Sequence, residues 1–237
     1  MLKYENLKQK PREFLAATGV TDEEFQILLP NFARGYEILY PKNLTFQGKA
    51  RQRGVGGGVR GTLPQLAQRL LFTLVYQKTN PLQTMHGLQF GLSQAPTNYW
   101  IHRLLPVLQQ TLVAIEMTPE RDGESVATNR ETSEGGANLA IDGTERRLQR
   151  PLDPVRQREK YSGKKKAHTN KNILLVNEHT QKVIYLSATV EGKKHDNRAA
   201  KEAAIVYPKN ATLAKDTGFQ GYEPEGVLTS QPKKREG

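Results

Sequence analysis

Two aspartates stand at equivalent places, each at the end of a short apolar run, and they constrain the fold of this chain more than any other feature. Asp142 ends Leu139-Ala140-Ile141 and is followed by Gly143, and Asp216 follows the run 211–214 and precedes Thr217-Gly218. Short apolar runs bounded by glycine are typical of strands that end in sharp turns. Two carboxylates on neighbouring strand ends would suit Mg²⁺ or Mn²⁺, which prefer oxygen ligands. The pattern therefore predicts a metal-dependent phosphoryl-transfer site.

The composition narrows the class of protein. The 237 residues allow one or two domains, and the absence of cysteine excludes disulfides, thiolate zinc sites and cysteine nucleophiles. No window is apolar enough for a membrane span and the N-terminus does not begin a signal peptide, so we expect a cytoplasmic protein. Lys and Arg outnumber Asp and Glu by 35 to 24. This excess of positive charge favours a polyanionic partner, nucleic acid first, with a merely basic protein as the alternative.

The N-terminal region has helical patterns. Thr21 followed by three acids predicts a helix start, and the apolar residues after it recur at helical spacing: Phe25, Leu28, Leu29 and Phe32. We interpret this segment as a packing helix.

A basic, glycine-rich stretch follows at residues 49–61. Gly56, Gly58 and Gly61 fit a G-x-G-x-x-G pattern, but no strand precedes them and no Lys-Ser/Thr follows, which argues against a nucleotide-binding loop. A flexible arm lying along phosphates and a plain solvated linker remain equally open.

Residues 63–108 predict a helix-turn-helix. One apolar helical face ends near Thr79, a second helix covers 82–90, and a third begins at Gln94 with Ser93 as its cap. The last helix would enter the major groove. Its predicted DNA-facing residues are Gln94, Thr97, Asn98, His102 and Arg103, and its predicted core residues are Trp100, Leu104, Val107 and Leu108. An ordinary helical hairpin remains the alternative.

The chain after Met117 divides into a linker and a second domain. Residues 118–138 are polar and acidic, so we place a linker there between a helical domain, 1–117, and a second domain, 139–237. Apolar runs in the second domain predict strands at 139–142, 146–149, 173–176, 183–190 and 211–216, with a helix at 196–206. The pattern indicates an α+β or α/β fold that begins as a ribonuclease H-like βββαβ core would.

The stretch 146–171 is rich in Lys and Arg. Near a metal site it would bind DNA phosphates, with Arg150, Lys164, Lys165 and Lys166 as the expected contacts. A solvated basic loop is the alternative.

Several ordered blocks carry a family resemblance. The blocks 141–145 (IDGTE), 149–151 (QRP), 161–169 (YSGKKKAHT), 194–196 (KHD) and 216–221 (DTGFQG) together resemble the DDE transposases of the IS5-type insertion sequences, which also have an upstream helix-turn-helix. The resemblance implies cleavage and joining of strands at the ends of a mobile element, with Mg²⁺ or Mn²⁺. It also implies double-stranded DNA partners, namely terminal inverted repeats and target DNA, and a homo-oligomer on them. The setting would be a bacterial cytoplasm, with association to the nucleoid.

The resemblance also assigns residues. Asp142 and Asp216 correspond to the first two acids, the catalytic metal ligands, and His195-Asp196 is a second-tier pair for which helix capping is the alternative. The family's third ligand is a Glu on a downstream helix, but Glu223, Glu225 and Glu236 lie in sequence without a helical pattern. We therefore expect an inactive or truncated fragment, or the first product of an element continued in another frame. The alternative functions are a non-catalytic DNA-binding protein or repressor that uses only the helix-turn-helix, and a structural or RNA-binding basic protein.

Overall fold

The computed structural model describes residues 1–45, 48–52, 63–133 and 137–232, and the chain forms two compact units, Met1–Met117 and Thr118–Gly237. Gly56, Gly58 and Gly61 of the predicted basic arm lie outside the described residues, as does Glu236. In the described part, no helix is both long and apolar enough to cross a membrane.

The first unit is helical throughout its regular structure. Thr21 and Glu24 form a capping box at the start of its third helix, because the Thr21 hydroxyl accepts from Glu24 N at 3.2 Å and Glu24 Oε2 accepts from Thr21 N at 2.8 Å. Phe25 and Phe32 of that helix are fully buried, as the spacing predicts. The helices are α1 (Tyr4–Leu7), α2 (Pro11–Thr18), α3 (Asp22–Leu39), α4 (Leu66–Thr79), α5 (Gln83–Phe90) and α6 (Gln94–Ala114).

Helices α5 and α6 meet at a tight turn. Gly91 ends α5 with φ of 70°, a left-handed conformation that glycine adopts without strain. Ser93 occupies the N-cap position of α6, but its side chain makes no capping hydrogen bond, contrary to the sequence expectation.

The second unit is a mixed seven-stranded sheet with flanking helices. Strand β1 lies at its centre, antiparallel to β3 from Leu139↔Asn177 to Arg147↔Thr169 and parallel to β6. Strand β7 adds parallel to β6, and β2, β4 and β5 pair antiparallel with β3. The elements are α7 (Arg130–Ser133), β1 (Asn138–Arg147), α8 (Pro154–Lys160), β2 (Tyr161–Ser162), β3 (Ala167–Asn177), β4 (Val183–Leu186), β5 (Val190–Glu191), α9 (Asp196–Glu202), β6 (Thr212–Lys215) and β7 (Leu228–Ser230), with 3-10 helices at Glu124–Thr128 and Thr217–Phe219.

The core of this unit lies on one face of the sheet. Ala199 and Ala200 of α9 are buried there with Leu139 and Leu213, because small side chains let the helix approach the strands closely. The segment that its composition marks as a linker contributes to the same core, since Val126 is fully buried.

Three local predictions need correction. Residues 146–149 do not form a separate strand and Asp142 does not end one, because pairing with β3 extends β1 without a break to Arg147. The run 183–190 is divided into β4 and β5 by residues outside either strand. The basic stretch 146–171 is more than a loop, since it includes α8 and the β2–β3 hairpin. The chain as described combines an N-terminal helical region with a mixed helix and sheet unit.

Candidate active site

Asp142 and Asp216 come to neighbouring places on adjacent parallel strands. The last parallel pair between β1 and β6 is Ile141↔Lys215, so the two aspartates each follow that pair by one residue. Asp216 keeps extended backbone, with φ of −82° and ψ of 177°. Side chains alternate along strands. Ile141 and Lys215 are buried, whereas Asp142 and Asp216 are both exposed.

A backbone amide orients each carboxylate. Asp142 Oδ1 accepts from Gly143 N at 2.7 Å, and Asp216 Oδ1 accepts from Gly218 N at 2.8 Å, which caps the 3-10 helix after β6. Within the described ranges no hydrogen bond occupies the other oxygen of either carboxylate. These two oxygens are therefore available to an external ligand.

The carboxylates of Asp142 and Asp216 supply part of what a divalent cation needs. Carboxylate oxygens are the ligands that Mg²⁺ and Mn²⁺ prefer. Over the part of the chain that the structure describes, however, no group of three or more His, Asp or Glu side chains is arranged to hold a metal ion. Asp142 and Asp216 each offer a carboxylate, and Glu223 and Glu225 lie outside the helices of the described residues.

Asp196 lies on the other face of β1. A Cβ at Gly143 would meet Asp196 Oδ1 at 2.8 Å, so the Asp196 carboxylate is on the Gly143 side of the strand, opposite Asp142. A Cβ at Gly218 would meet Asp196 Oδ2 at 3.1 Å. The carboxylate therefore fits between the two segments that carry Asp142 and Asp216, and both glycines are needed to make room for it.

Asp196 does not cap its helix. His195 is the N-cap residue of α9, its side chain makes no capping bond, and it is exposed. The Asp196 side chain instead lies 2.6 Å from Lys171 Nζ. This ion pair removes helix capping as the explanation for Asp196.

Lys171 and Glu145 extend this ion pair into a buried network. They are directly opposite each other in the β1–β3 pairing, and Lys171 Nζ lies 3.4 Å from Glu145 Oε1. Each side chain is only 5% exposed. Lys171 Nζ also donates to Lys194 O at 2.7 Å, and the Thr169 hydroxyl donates to Glu145 Oε2 at 2.9 Å. Burial by itself raises the pKa of Glu145, but hydrogen bonds from Ser162 and Thr169 and the charge of Lys171 outweigh it and hold that pKa below its usual value.

Sequence reasoning missed Lys171 and Glu145 as parts of the site. The only signal was a lysine at the start of the apolar run 173–176, since a charged residue within a buried strand requires a partner.

A cavity of about 350 Å³ borders this network. Lys164 lines it together with Asp196 and Asp216, so one predicted phosphate contact does lie beside the acids. Lys165 and Lys166 are exposed on the turn between β2 and β3. Arg150 lies in an adjoining groove instead.

In the helical unit, α6 presents part of the predicted DNA-binding surface. Gln94, Asn98 and His102 are exposed on it. Arg103 is half-buried, with its guanidinium 3.6 Å from the Tyr40 ring centroid and its Nε donating to the Tyr36 hydroxyl at 3.0 Å. Trp100, Leu104, Val107 and Leu108 are buried as predicted.

Thr97 was wrongly predicted to face DNA. It is fully buried, its hydroxyl donates to Ser93 O at 2.8 Å, and a Cβ at Gly87 would meet that hydroxyl at 2.5 Å. Thr97 therefore packs α6 against α5, where the missing side chain of Gly87 admits it.

Comparison with known protein families gives two matches. Residues 141–236 match the family model of the DDE superfamily endonuclease, and residues 62–114 match the model of the helix-turn-helix of the DDE superfamily endonuclease. Comparisons with curated proteins and with solved structures found no match. A helix-turn-helix and an endonuclease domain together imply DNA binding. The two matches support a DDE-type transposase with DNA-cleaving function.

Proposed function

We propose that this chain is a metal-dependent DNA transposase of the IS5-type insertion sequences, which cleaves phosphodiester bonds and transfers strands at the ends of its element. The observation that carries the proposal is the placement of Asp142 and Asp216 one residue beyond the parallel pair Ile141↔Lys215. Both residues fall within the endonuclease match. This placement supports the proposal, because the two acids are far apart in sequence.

The strand arrangement supports a ribonuclease H-like core. Central β1 lies between antiparallel β3 and parallel β6, β4 adds antiparallel to β3, and β7 adds parallel to β6. With the short elements α8, β2 and β5 left aside, the order β1, β3, β4, α9 and β6 corresponds to βββαβ. A fold alone does not specify chemistry, so the assignment of function depends on the carboxylates.

In the proposed mechanism Asp142 and Asp216 hold the divalent cation. When bound, such an ion lowers the pKa of attacking water and stabilises the leaving oxygen of a phosphodiester. The amides of Gly143 and Gly218 keep the two carboxylates oriented. Lys164, on the wall of the neighbouring cavity, binds a DNA phosphate. Asp196 acts through its position between Gly143 and Gly218, because its charge is already paired with Lys171.

DNA binding by the helical unit uses α6. Gln94, Asn98 and His102 would contact base edges in the terminal inverted repeats, as the second helix of a helix-turn-helix does. The formal net charge of +11 strengthens binding to phosphates without regard to sequence. Pairing of two element ends would use a homo-oligomer on DNA.

A nicking assay tests the proposal. The full chain is incubated with supercoiled DNA carrying the terminal repeats and with Mg²⁺ or Mn²⁺, and Asp142→Asn and Asp216→Asn are compared with Glu178→Gln, an exposed acid on the turn after β3. Each Asp variant should nick far more slowly, because the proposed cation would lose one of its carboxylate ligands. The Glu178 variant should match the wild type. Equal nicking by all three variants would exclude Asp142 and Asp216 from the reaction.

One observation favours a second candidate, a non-catalytic DNA-binding protein or repressor. The described residues offer two carboxylates on the exposed face and no group of three acids, and a two-metal site holds its ions poorly without further ligands. This candidate predicts tight binding to the terminal repeats with no nicking by the wild type in either metal. Measurable, Asp142-dependent nicking would eliminate it.

A further inference from the structure

A second groove lies beside the cavity that contains Asp216. It has a volume of about 870 Å³, and its polar and aromatic lining residues are Arg150, Gln157, Arg158, Tyr161, His168 and Lys193. Gly163 and Lys193 line both spaces, so the groove adjoins the cavity at that wall. A strand of DNA with a phosphate near Asp216 would therefore reach this groove within a short distance.

The charge of the groove is entirely positive. Arg150, Arg158 and Lys193 line it, and none of its described lining residues is a carboxylate. Within the described ranges none of these three cations forms an ion pair, whereas the nearby Lys194 and Arg198 do. Unpaired cations that converge on a concave surface attract phosphates.

Arg150 is held in place by its neighbour. Its Nε and Nη2 donate to Gln157 Oε1 at 3.1 Å and 2.9 Å, and Gln157 Nε2 donates to Pro151 O at 2.8 Å. The guanidinium is therefore oriented before any ligand arrives, which reduces the entropy lost on binding.

Tyr161 provides an aromatic surface in the groove. Tyr161 is 45% exposed, and it lies directly opposite His168 in the β2–β3 pairing. The two rings form an edge-to-face pair with centroids 5.7 Å apart and planes at 71°. Because Tyr161 and His168 are paired across two hydrogen-bonded strands, the exposed Tyr161 ring is held in a fixed orientation. Such a surface suits an unstacked base, since bases inside a duplex already have both faces covered.

We propose that this groove binds one unpaired nucleotide of the DNA strand that continues from the phosphate at Asp216, with its base on Tyr161 and its phosphate on Arg150, Arg158 and Lys193. The proposal rests on the proposed function, because it takes the strand from that site. It predicts that DNA whose end is frayed or overhanging next to the cleavage position binds better than a fully paired end.

A binding assay without divalent cations separates this proposal from catalysis. The full chain is titrated in EDTA with two probes of the same terminal-repeat sequence, one blunt and one with a short single-stranded overhang that contains 2-aminopurine. The wild type should bind the overhang about tenfold more tightly than the blunt end, within the range for one base–aromatic stack. The 2-aminopurine fluorescence should be quenched.

Matched variants identify the groove as the cause. Tyr161→Phe keeps the ring and should keep both the preference and the quenching, whereas Tyr161→Ala should lose both while it binds the blunt probe normally. Arg150→Gln should weaken overhang binding and lower the salt dependence by about one phosphate contact. Thermal unfolding checks that each variant is folded. If Tyr161→Ala does not fold, the two affinities and the 2-aminopurine quenching measured with the wild type still test the proposal.

Two outcomes would overturn the proposal: equal affinity of the wild type for both probes, or equal behaviour of the Ala and Phe variants. If nicking still required Asp142 in either case, only the nucleotide groove would be wrong. If the overhang preference persisted but Asp142→Asn nicked like the wild type, only the catalytic assignment would be wrong.

Discussion

Lys171 Nζ lies 2.6 Å from Asp196 Oδ1, and the Asp196 carboxylate fits between Gly143 and Gly218. One buried ion pair therefore connects β3 and α9 to the two segments that carry Asp142 and Asp216. Because packed interiors have little free volume, a change at this pair should be transmitted to both carboxylates.

Lys171→Met should destabilise the second unit strongly. It leaves the carboxylates of Glu145 and Asp196 buried without their cation, and removal of one partner of a buried pair costs about 3–5 kcal/mol. Urea unfolding, monitored by circular dichroism, measures the free energy of unfolding. The control is Lys182→Met, whose pair with Glu131 is far more exposed and whose loss should cost much less stability. Equal losses in the two variants would contradict a special role for Lys171.

Gly143→Ala should slow nicking and lower stability together. Its Cβ would lie 2.8 Å from Asp196 Oδ1, so either the carboxylate or β1 must shift next to Asp142. Overpacking of this kind costs about 1–3 kcal/mol. Thermal unfolding of Gly163→Ala, where nothing lies within 4 Å of the added Cβ, provides the comparison. A Gly143 variant as stable and as active as the wild type would show that Asp196 moves away freely.

The helical unit should lose stability in mild acid through His86. Burial lowers the pKa of His86 to about 4, whereas the unfolded chain has the ordinary value near 6.5. Between these values the unfolded state binds more protons, so this contribution is present above pH 6.5 and is lost as the pH falls toward 4. At pH 5 the free energy of unfolding should be about 2 kcal/mol smaller than at pH 7 on account of His86.

His86→Phe should remove most of this pH dependence. The ring lies against Phe72, Tyr76 and Phe90, with centroids 4.2 Å, 5.3 Å and 5.0 Å away, so an aromatic replacement keeps the packing. Fluorescence of Trp100, the one tryptophan of the chain, follows urea unfolding of this unit. Equal pH dependence in wild type and variant would assign the effect to other groups.

Asn98→Ala should weaken sequence-specific DNA binding. Asn98 is exposed on α6, and loss of a good base contact costs about 1–3 kcal/mol of discrimination with little change in salt dependence. Binding to the terminal repeats is compared with binding to a scrambled duplex. Gln109→Ala, exposed toward the other end of the same helix, should leave the discrimination unchanged. A larger effect at Gln109 than at Asn98 would mean that another part of α6 faces DNA.

The sequence predicted elements with a strong local period well. The spacing of Phe25 and Phe32 in α3 and of Trp100 and Leu104 in α6 marked their buried faces, because helical periodicity records which side is apolar. The interpretation failed at Thr97, which lies three, four and seven residues before the buried Trp100, Ile101 and Leu104 and therefore belongs to the buried face of α6. Its polar side chain was taken for a DNA contact, whereas it packs where Gly87 leaves space on α5.

By itself the sequence determined most of the helices and the apolar run that ends directly before Asp216, because these properties depend on neighbouring residues. It did not determine the length of β1, which continues past Asp142 to Arg147 because it pairs with the distant segment β3. Only the tertiary structure decided that the two acids become neighbours, that Asp196 lies on the opposite face, and that Lys171 pairs with Glu145 and Asp196. The physical reason is that sheet register and helix docking are set by contacts between distant segments. A shift of one residue in the register of a strand would move that strand's side chains to the other face.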